Sequence, residues 1–221
     1  MFTPRRITVH EHLDHETEMT PDVMRSLEDL RGINRWLGGI LAYRSLIERL
    51  TLRTDLTIAD LGSGTADLLR SLPATHRRIG LDFKLGHHAV ARLDGRDDVD
   101  LIAADAFRLP FRDRSVDVVT SSHFLHHFDP HENHRILEES LRVARLGVAV
   151  TDTRRHVVPL AFVAALAATP LWSPITRFDA PASVRQGYTV EEVRGIAAAT
   201  SARRWEVFRM ISFRFGMILW K

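Results

Sequence analysis

Short apolar runs alternate with helix-length segments between residues 56 and 152, and this alternation constrains the fold more than any other feature of the sequence. Each run ends in or beside Gly, Asp or Ser. Parallel strands need a long crossover between them, so the alternation predicts a parallel sheet in a doubly wound α/β domain. The predicted strands are Thr57–Leu61, Arg78–Leu81, Val99–Ala103, Val116–Ser121 and Gly147–Thr151.

The N-terminal segment predicts an arm followed by two helices. Residues 1–19 are polar and indicate a mobile arm, whereas Thr20-Pro21-Asp22 combines a hydroxyl cap, a proline at the first helical position and an acid in the first turn. The first helix is expected to end at Gly32, and a second helix to span Ile40–Leu50. We therefore assign residues 1–50 to an arm and helical cap, and residues 51–221 to one main domain.

The C-terminal segment predicts a mixture of helix, loop and strand. Thr189 and Glu192 form a capping-box pattern that opens a helix through Ala199. The last two apolar and aromatic runs, separated by Ser212, favour a closing antiparallel pair. The other segments are an apolar helix within Val157–Trp172, a loop through Asp179, Ser183 and Arg185, and the strand pair Trp205–Ile211 and Phe213–Trp220.

Composition excludes several kinds of chemistry. The chain has no cysteine, so thiol nucleophiles, disulfides and thiolate metal centres are excluded. Of its 30 basic residues only Lys84 and Lys221 are lysine, but the arginines are scattered among 28 acids and indicate no nucleic-acid surface. The N-terminus lacks an apolar signal region, and Val157–Trp172 is too short to span a bilayer, so we expect a cytoplasmic protein without a transmembrane segment.

The first predicted strand leads into a glycine loop. Gly62, Ser63 and Gly64 follow it, and glycines allow a ligand to approach the backbone at the start of a helix. A dinucleotide fingerprint would place a third glycine where Asp67 stands, which disfavours a nicotinamide reductase. Asp60, just before the glycines, suits a ligand with a positively charged amino group.

Two further acids end the next two predicted strands. Asp82 is placed to accept hydrogen bonds from both hydroxyls of a ribose, and Phe83 beside it can pack against a base. Asp105, followed by Ala106, is placed where an adenine amino group could donate. The three acids and the glycines together therefore predict a nucleoside-containing ligand at the carboxyl edge of the sheet.

In this order the motifs resemble the class I S-adenosylmethionine-dependent methyltransferases. The resemblance covers about residues 55–152 and implies a Rossmann-like, seven-stranded, mostly parallel sheet with a C-terminal antiparallel hairpin. It also implies that S-adenosylmethionine binds over the carboxyl edge, with Ser121 among its contacts. Ala66 departs from the pattern, since many members have a third glycine there. The motifs are Asp60–Gly64 (DLGSG), Asp82, Asp105–Ala106 and Asp117–Ser121 (DVVTS).

Five further motifs extend over most of the chain. They are Leu30–Gly39 (LRGINRWLGG), Leu125–Asp129 (LHHFD), Arg142–Arg145 (RVAR), Asp152–Arg155 (DTRR) and Tyr188–Glu192 (YTVEE). Together they resemble small bacterial methyltransferases often associated with type III polyketide synthases, which are similar to quinone-biosynthesis methyltransferases. This resemblance implies O-methylation of a phenolic or polyketide-derived hydrophobic molecule, with such a synthase as functional partner. C-methylation of a quinone-type ring and a non-catalytic adenosylmethionine-binding protein are the alternatives.

Three histidines follow the fourth predicted strand, where a methyl acceptor is expected. His126 or His127 is a candidate general base, because a phenol with a pKa near 10 needs one at neutral pH. A histidine hydrogen-bonded to a neighbouring loop is an equally good reading of either residue. His123 is expected to contact the acceptor. We predict no metal, because these rings and those of His131 and His134 would point to different faces and no HExxH motif is present.

Other residues are expected near the acceptor or the cofactor. Asp152 and Arg155 follow the fifth strand and can orient a polar acceptor group, although Asp152 can equally cap the next helix. Phe162 lies in the apolar segment, which is either core or a hydrophobic lid over the acceptor, and Arg185 lies in the loop after it. Arg35 can pair with the cofactor carboxylate or form a structural ion pair.

Overall fold

The fold is a seven-stranded sheet with helices on both faces. The computed structural model describes residues 3–16, 18–93, 95 and 98–221, except for the side chains of residues 85, 89 and 93. The strand order is β3-β2-β1-β4-β5-β7-β6, and β7 runs in the direction opposite to the other six strands. The strands are β1 Thr57–Leu61, β2 Arg77–Asp82, β3 Asp100–Ala103, β4 Val116–Ser122, β5 Ala144–Thr153, β6 Arg204–Arg209 and β7 Arg214–Trp220. The predicted parallel sheet and closing hairpin are confirmed.

The central strands are apolar on both faces because both faces are covered. Ile58 of β1 and Val118 of β4 pack on one side with the helix that precedes β1. Ala59 and Val119, the next residue of each strand, pack on the other side with residues that follow β4. Successive strand residues point to opposite faces, so the continuous apolar runs are explained by a sheet buried between two helical layers.

The described part of the chain contains nine α-helices and one 3₁₀ turn. Thr20 and Thr189 cap two of them as predicted, each accepting a hydrogen bond from a backbone N–H three residues later. The helices are α1 His12–His15, α2 Pro21–Trp36, α3 Gly39–Leu50, α4 Asp67–Arg70, α5 Leu85–Leu93, α6 Pro130–Val143, α7 Val157–Ala167, α8 Pro174–Gln186 and α9 Val190–Ala198, and the 3₁₀ turn is Leu125–His127. None of these helices is long and apolar enough to cross a membrane.

Two helical predictions are wrong at the level of local structure. The first helix continues through Gly32 to Trp36, since a glycine inside a helix costs only about 1 kcal/mol and packing elsewhere in the helix offsets it. The expected loop through Asp179 is the helix α8, which Ser173 caps by accepting from the N–H of Thr176. Pro181 inside α8 obscures the helical pattern in the sequence.

The arm is packed against the domain rather than free of it. The guanidinium of Arg6 donates to the carbonyl oxygens of Gln186 and Phe128 and lies over the Tyr188 ring. Asp179 accepts from the first N–H groups of α1, so the acid expected in an acceptor loop holds the arm instead. The predicted boundary between the helical cap and the main domain at residue 50 stays a prediction. Side chains of α3, on the cap side of that boundary, share one apolar cluster with β1.

Candidate functional site

A cavity of about 630 Å³ opens at the carboxyl edge of the parallel strands. Its wall is formed by the loops after β1, β2, β3 and β4, by the N-terminal arm and by single residues of other elements. A larger hollow of about 820 Å³ lies at the opposite ends of these strands, near Thr57, Arg77 and Val116, and contains none of the predicted site residues. The predicted residues that line the first cavity are Gly62, Gly64, Asp82, Phe83, Asp105, Ala106, His123, His126 and His127.

The glycine loop brings bare backbone to the cavity wall. Gly62 and Gly64 have φ values of +64° and +51°, and a β-carbon at residue 62 would lie 2.5 Å from the Phe124 ring. Ala66 also has a positive φ, +58°, in the position where the resemblance leads one to expect glycine. The chain therefore keeps a left-handed turn there without glycine, at a cost of roughly 1–2 kcal/mol for a residue with a side chain.

The carboxylate of Asp82 is held at the cavity wall by two backbone N–H groups. Its Oδ2 accepts from the Gly64 N–H at 2.9 Å and its Oδ1 from the Lys84 N–H at 2.8 Å. Burial alone would raise the pKa of Asp82, but the nearby His87 and these backbone donors outweigh it and hold the pKa below its usual range. The carboxylate is therefore ionised at neutral pH, and its remaining lone pairs can accept ligand hydroxyls.

Four predicted cofactor residues lie outside the cavity wall. Asp60 lies beneath the glycine loop, accepts from the Thr120 hydroxyl at 2.7 Å, and has a pKa raised by burial to about 7. Ser63 and Ser121 are also buried, and the Ser63 hydroxyl lies 3.3 Å from Nε2 of His88. Arg35 is exposed, with its guanidinium over the Trp36 ring. Asp60 is thus held in the core by hydroxyl donors, and its contact with a ligand stays a prediction.

His126 is held between two carboxylates. Its Nδ1 lies 2.8 Å from Oδ1 of Asp152, and its Nε2 lies 3.3 Å from Oε1 of Glu11 in the arm. Burial would lower the pKa of His126, but these carboxylates raise it to about 10. The ring therefore carries both protons at neutral pH, and a protonated imidazole cannot remove a proton from an acceptor.

His127 has a different environment, although it is the next residue. Its Nδ1 lies 2.9 Å from Oδ2 of Asp14 in the arm, and about a fifth of the side chain is exposed. Burial would raise the pKa of Asp14, but the hydrogen bond and charge of His127 lower it overall. When Nδ1–H donates to Asp14, Nε2 is left with its lone pair, so His127 has the geometry of a general base.

His123 completes the histidine side of the cavity. It has a φ of +51°, and its Nδ1 lies 3.8 Å from Oδ1 of Asp152. Burial lowers the pKa of His123 well below its ordinary value, helped by the nearby charge of Arg214. His123 is therefore neutral and can exchange hydrogen bonds with a ligand.

The other predicted acceptor residues do not line this cavity. Asp152 lies behind His126 and accepts from both its ring and its backbone N–H. Arg155 pairs with Glu192 at 2.6 Å, and Arg185 is exposed on α8. Phe162 lies on α7, and no side chain of that helix lines the cavity, so a hydrophobic lid over the acceptor stays a prediction.

Sequence reasoning missed the contribution of the arm. Glu11 and Asp14 both line the cavity and pair with the two adjacent histidines. The only signal was two acids three residues apart in a segment rich in histidine. The long-range pairing was not visible in any local pattern.

Among the residues that the structure describes, two groups of side chains are close enough to hold a metal ion. One is Glu11, His126 and His127, and the other is His123, His126 and Asp152. His126 belongs to both groups. Each of its ring nitrogens already faces a carboxylate, and these two carboxylates stabilise the protonated ring. The expectation that no metal is bound therefore stays a prediction.

Comparison of the sequence with known proteins finds similarity to methyltransferases. Residues 59–150 match a family model described as a methyltransferase domain. Demethylmenaquinone methyltransferase of Paenarthrobacter aurescens is 31% identical over 144 residues, which are 63% of this chain and 53% of that protein. The chain thus spans about half the length of this curated relative.

Solved structures share the fold at low sequence identity. A SAM-dependent methyltransferase from Aquifex aeolicus superposes with a TM-score of 0.64 at 17% identity, covering 89% of this chain and 97% of that one. Human N-acetylserotonin methyltransferase in complex with SAM has a TM-score of 0.64 at 14% identity, covering 90% of this chain and 55% of that one. Both likenesses establish the architecture.

The matched region, the strand order and the glycine loop with its strand-end acids agree with the class I S-adenosylmethionine-dependent methyltransferase domain that the sequence resembles. The cofactor expected for such a domain is S-adenosylmethionine. The cavity fits that group, since the loop at Gly62 and Gly64 offers open backbone, Asp82 offers an ionised acceptor, and Phe83 offers an exposed ring.

The assignment of Asp82 to the ribose predicts a large loss of cofactor affinity. Asp82→Ala is expected to weaken binding of S-adenosylhomocysteine by about 1.5–3 kcal/mol, or roughly 10- to 150-fold, because charge-assisted hydrogen bonds are lost. Calorimetry measures this directly. Asp113→Ala, at a surface acid paired with Arg142, is the control and should bind as the wild type does. Unchanged affinity in folded Asp82→Ala would remove the assignment.

Proposed function

We propose that the protein methylates a hydroxyl oxygen of a phenolic or polyketide-derived hydrophobic acceptor. The observation that carries this proposal is the pair of His127 and Asp14 at the cavity wall, with Nδ1 and Oδ2 2.9 Å apart. A hydroxyl on an aromatic ring is the acceptor group that such a base activates, because its pKa near 10 keeps it protonated at neutral pH.

The residues of the chain supply deprotonation and placement. Bound S-adenosylmethionine supplies an electrophilic methyl group on a sulfonium sulfur. Nε2 of His127 accepts the phenolic proton, and Asp14 stabilises the imidazolium that forms. The cavity would hold the resulting phenolate as the nucleophile toward the methyl group that the cofactor would supply, with S-adenosylhomocysteine as the leaving group, and the proton leaves His127 for water. Holding the two reactants in line contributes several kcal/mol of rate enhancement.

The cavity wall also supports an acceptor with apolar surface. Two leucines of α2 and three phenylalanines line it, namely Leu27, Leu30, Phe107, Phe124 and Phe128. Aromatic rings and leucines favour a flat, largely apolar molecule with few polar groups. Supply of the acceptor by a type III polyketide synthase is proposed on the sequence resemblance alone.

C-methylation of a quinol ring is the second candidate. It is favoured by the similarity to proteins named demethylmenaquinone methyltransferase. Removal of a ring hydroxyl proton by His127 would raise the electron density of the ring carbons as well, so the same base serves either reaction. The two reactions differ in which atom receives the methyl group.

A product assay distinguishes these functions. The protein is incubated with methyl-labelled cofactor and a panel of phenols, alkylresorcinols, quinols and polyketide pyrones, and products are weighed by mass spectrometry in H₂O and D₂O. O-methylation is expected to add one methyl group and remove one exchangeable hydrogen. A methylated product that retains all its exchangeable hydrogens would establish C-methylation instead. No product from any acceptor, with intact cofactor binding, would support a non-catalytic binding protein.

A further inference from the structure

Helix α7 leaves an apolar surface uncovered. All eleven of its side chains are apolar, and of these only Pro159 is buried. Val157, Val158 and Phe162 are 44–49% exposed, and Leu171 in the following turn is 66% exposed. We call these four residues the α7 surface. A helix that is apolar all round is normally buried, so this surface is an exception that needs an explanation.

Arginines lie at both ends of the α7 surface. Arg177 donates to the carbonyl oxygen of Ala167 at the C-terminal end of α7, and Arg25 donates to that of Pro170 just beyond. Arg154 precedes the N-terminal end and lies over the Phe213 ring. Within the described residues, none of these three arginines has a carboxylate oxygen within 4.0 Å. None of the three therefore forms a direct ion pair there, although Glu191 is near enough to Arg154 for their charges to interact.

We propose that the α7 surface docks on an anionic lipid bilayer. The apolar side chains would enter the boundary of the acyl region, and the flanking guanidinium groups would face lipid phosphates. Apolar burial and basic charge together are the two signals that stable attachment to a membrane surface needs. Eleven helical residues span only about 16 Å, roughly half the hydrocarbon thickness, so α7 lies on the bilayer and does not cross it.

A lipid surface fits α7 better than a protein partner does. Specific protein interfaces carry about one hydrogen bond per 100–200 Å². The side chains of α7 contain no donor or acceptor, so they cannot contribute to that specificity. A bilayer requires only apolar area and charge.

The position of α7 relates docking to the reaction. The helix follows β5 at the same edge of the sheet as the cavity, and α8, which packs on α7, contributes Ser183 to the cavity wall. Docking would bring the cavity to the level where an acceptor with an apolar tail resides. This last step rests on the proposed function, whereas docking itself does not.

Vesicle flotation tests the proposal without any acceptor. Wild-type protein is expected to float with vesicles containing one-third phosphatidylglycerol in phosphatidylcholine, and more weakly with phosphatidylcholine alone. Phe162→Asp and Leu171→Asp should each lower the bound fraction about tenfold. Replacing Arg25 and Arg177 together with Gln should remove the preference for anionic vesicles. Leu52→Asp is the matched control, since Leu52 is 91% exposed at the opposite ends of the strands, and it should float as the wild type does.

Affinity for S-adenosylhomocysteine, measured on every variant, shows that the proteins stay folded. The proposal is overturned if the wild type floats with neither vesicle, or if Phe162→Asp and Leu52→Asp float equally. A wild type that dimerises in light scattering, becomes monomeric on Phe162→Asp and ignores vesicles would identify a second copy of the chain as the occupant. Because no acceptor is present, failure here leaves the proposed function untouched, and failure of the product assay leaves docking untouched.

Discussion

Replacing His127 with alanine is expected to lower turnover on the true acceptor by a factor of about 10²–10⁴, with affinity for S-adenosylhomocysteine unchanged. The reason is that Nε2 of His127 is available when Nδ1–H donates to Asp14, whereas His126 lies between Asp152 and Glu11, which raise its pKa to about 10. The residual rate should rise about tenfold per pH unit toward the phenol pKa near 10, because hydroxide-driven ionisation then replaces the base. Steady-state kinetics from pH 6 to pH 9 measure both effects.

Two further variants sharpen the test of the base. Asp14→Asn should lower the maximal rate less than His127→Ala does, and should alter the pH profile, since the amide cannot stabilise the imidazolium. His131→Ala, at an exposed position on α6, is the matched control and should retain full activity. Full activity of His127→Ala would mean that placement alone carries the reaction.

Loss of the Asp152 carboxylate is expected to destabilise the fold by about 3–5 kcal/mol, because it leaves buried positive charge unpaired. Asp152 is fully buried beside the ring of His126, and the buried guanidinium of Arg214 is also close enough to interact with it. Urea unfolding of Asp152→Ala and of the milder Asp152→Asn gives the loss. Asp113→Ala, at a surface ion pair, should cost no more than about 1 kcal/mol.

The pairing of Asp152 with His126 also makes this loss of stability depend on pH. The pKa of His126, about 10 in the folded protein, lies above the value near 6.5 of a free imidazole. Its contribution is therefore complete below about pH 6.5 and disappears as the pH rises toward 10. The pKa of Asp152 is lowered, so its contribution is present above about pH 4 and is lost in acid. The difference in unfolding free energy between wild type and Asp152→Asn should be largest between about pH 4 and pH 6.5, where both contributions are present. A difference that does not depend on pH would contradict the pairing.

The sheet and the glycine loop were predictable because their signals are local. Apolar runs covered on both faces, a glycine pair and an acid at a strand end each occupy a few neighbouring residues. The roles of His126 and His127 were not predictable, because adjacent histidines differ only in which carboxylates fold against them. Those carboxylates come from the arm and from the end of β5, far away along the chain.

The same limit applies to residues whose sequence pattern fits two environments. Arg155 follows a strand at the ligand edge, yet it pairs with Glu192 of the α9 capping box. The apolar character of α7 is compatible with a core, a lid or an external surface, and only tertiary packing distinguishes them. Pro181 conceals α8 because a proline in a helix interior is rare on energetic grounds.

The N-terminal arm links access to reactivity. Asp14 reaches His127, and Glu11 reaches His126, only while the arm lies across the cavity wall. Any movement that widens the cavity on this side also separates both histidines from their arm carboxylates. One segment therefore forms part of the cavity wall and also carries the carboxylate partners of both histidines, so under the proposed function a displaced arm would leave His127 without Asp14.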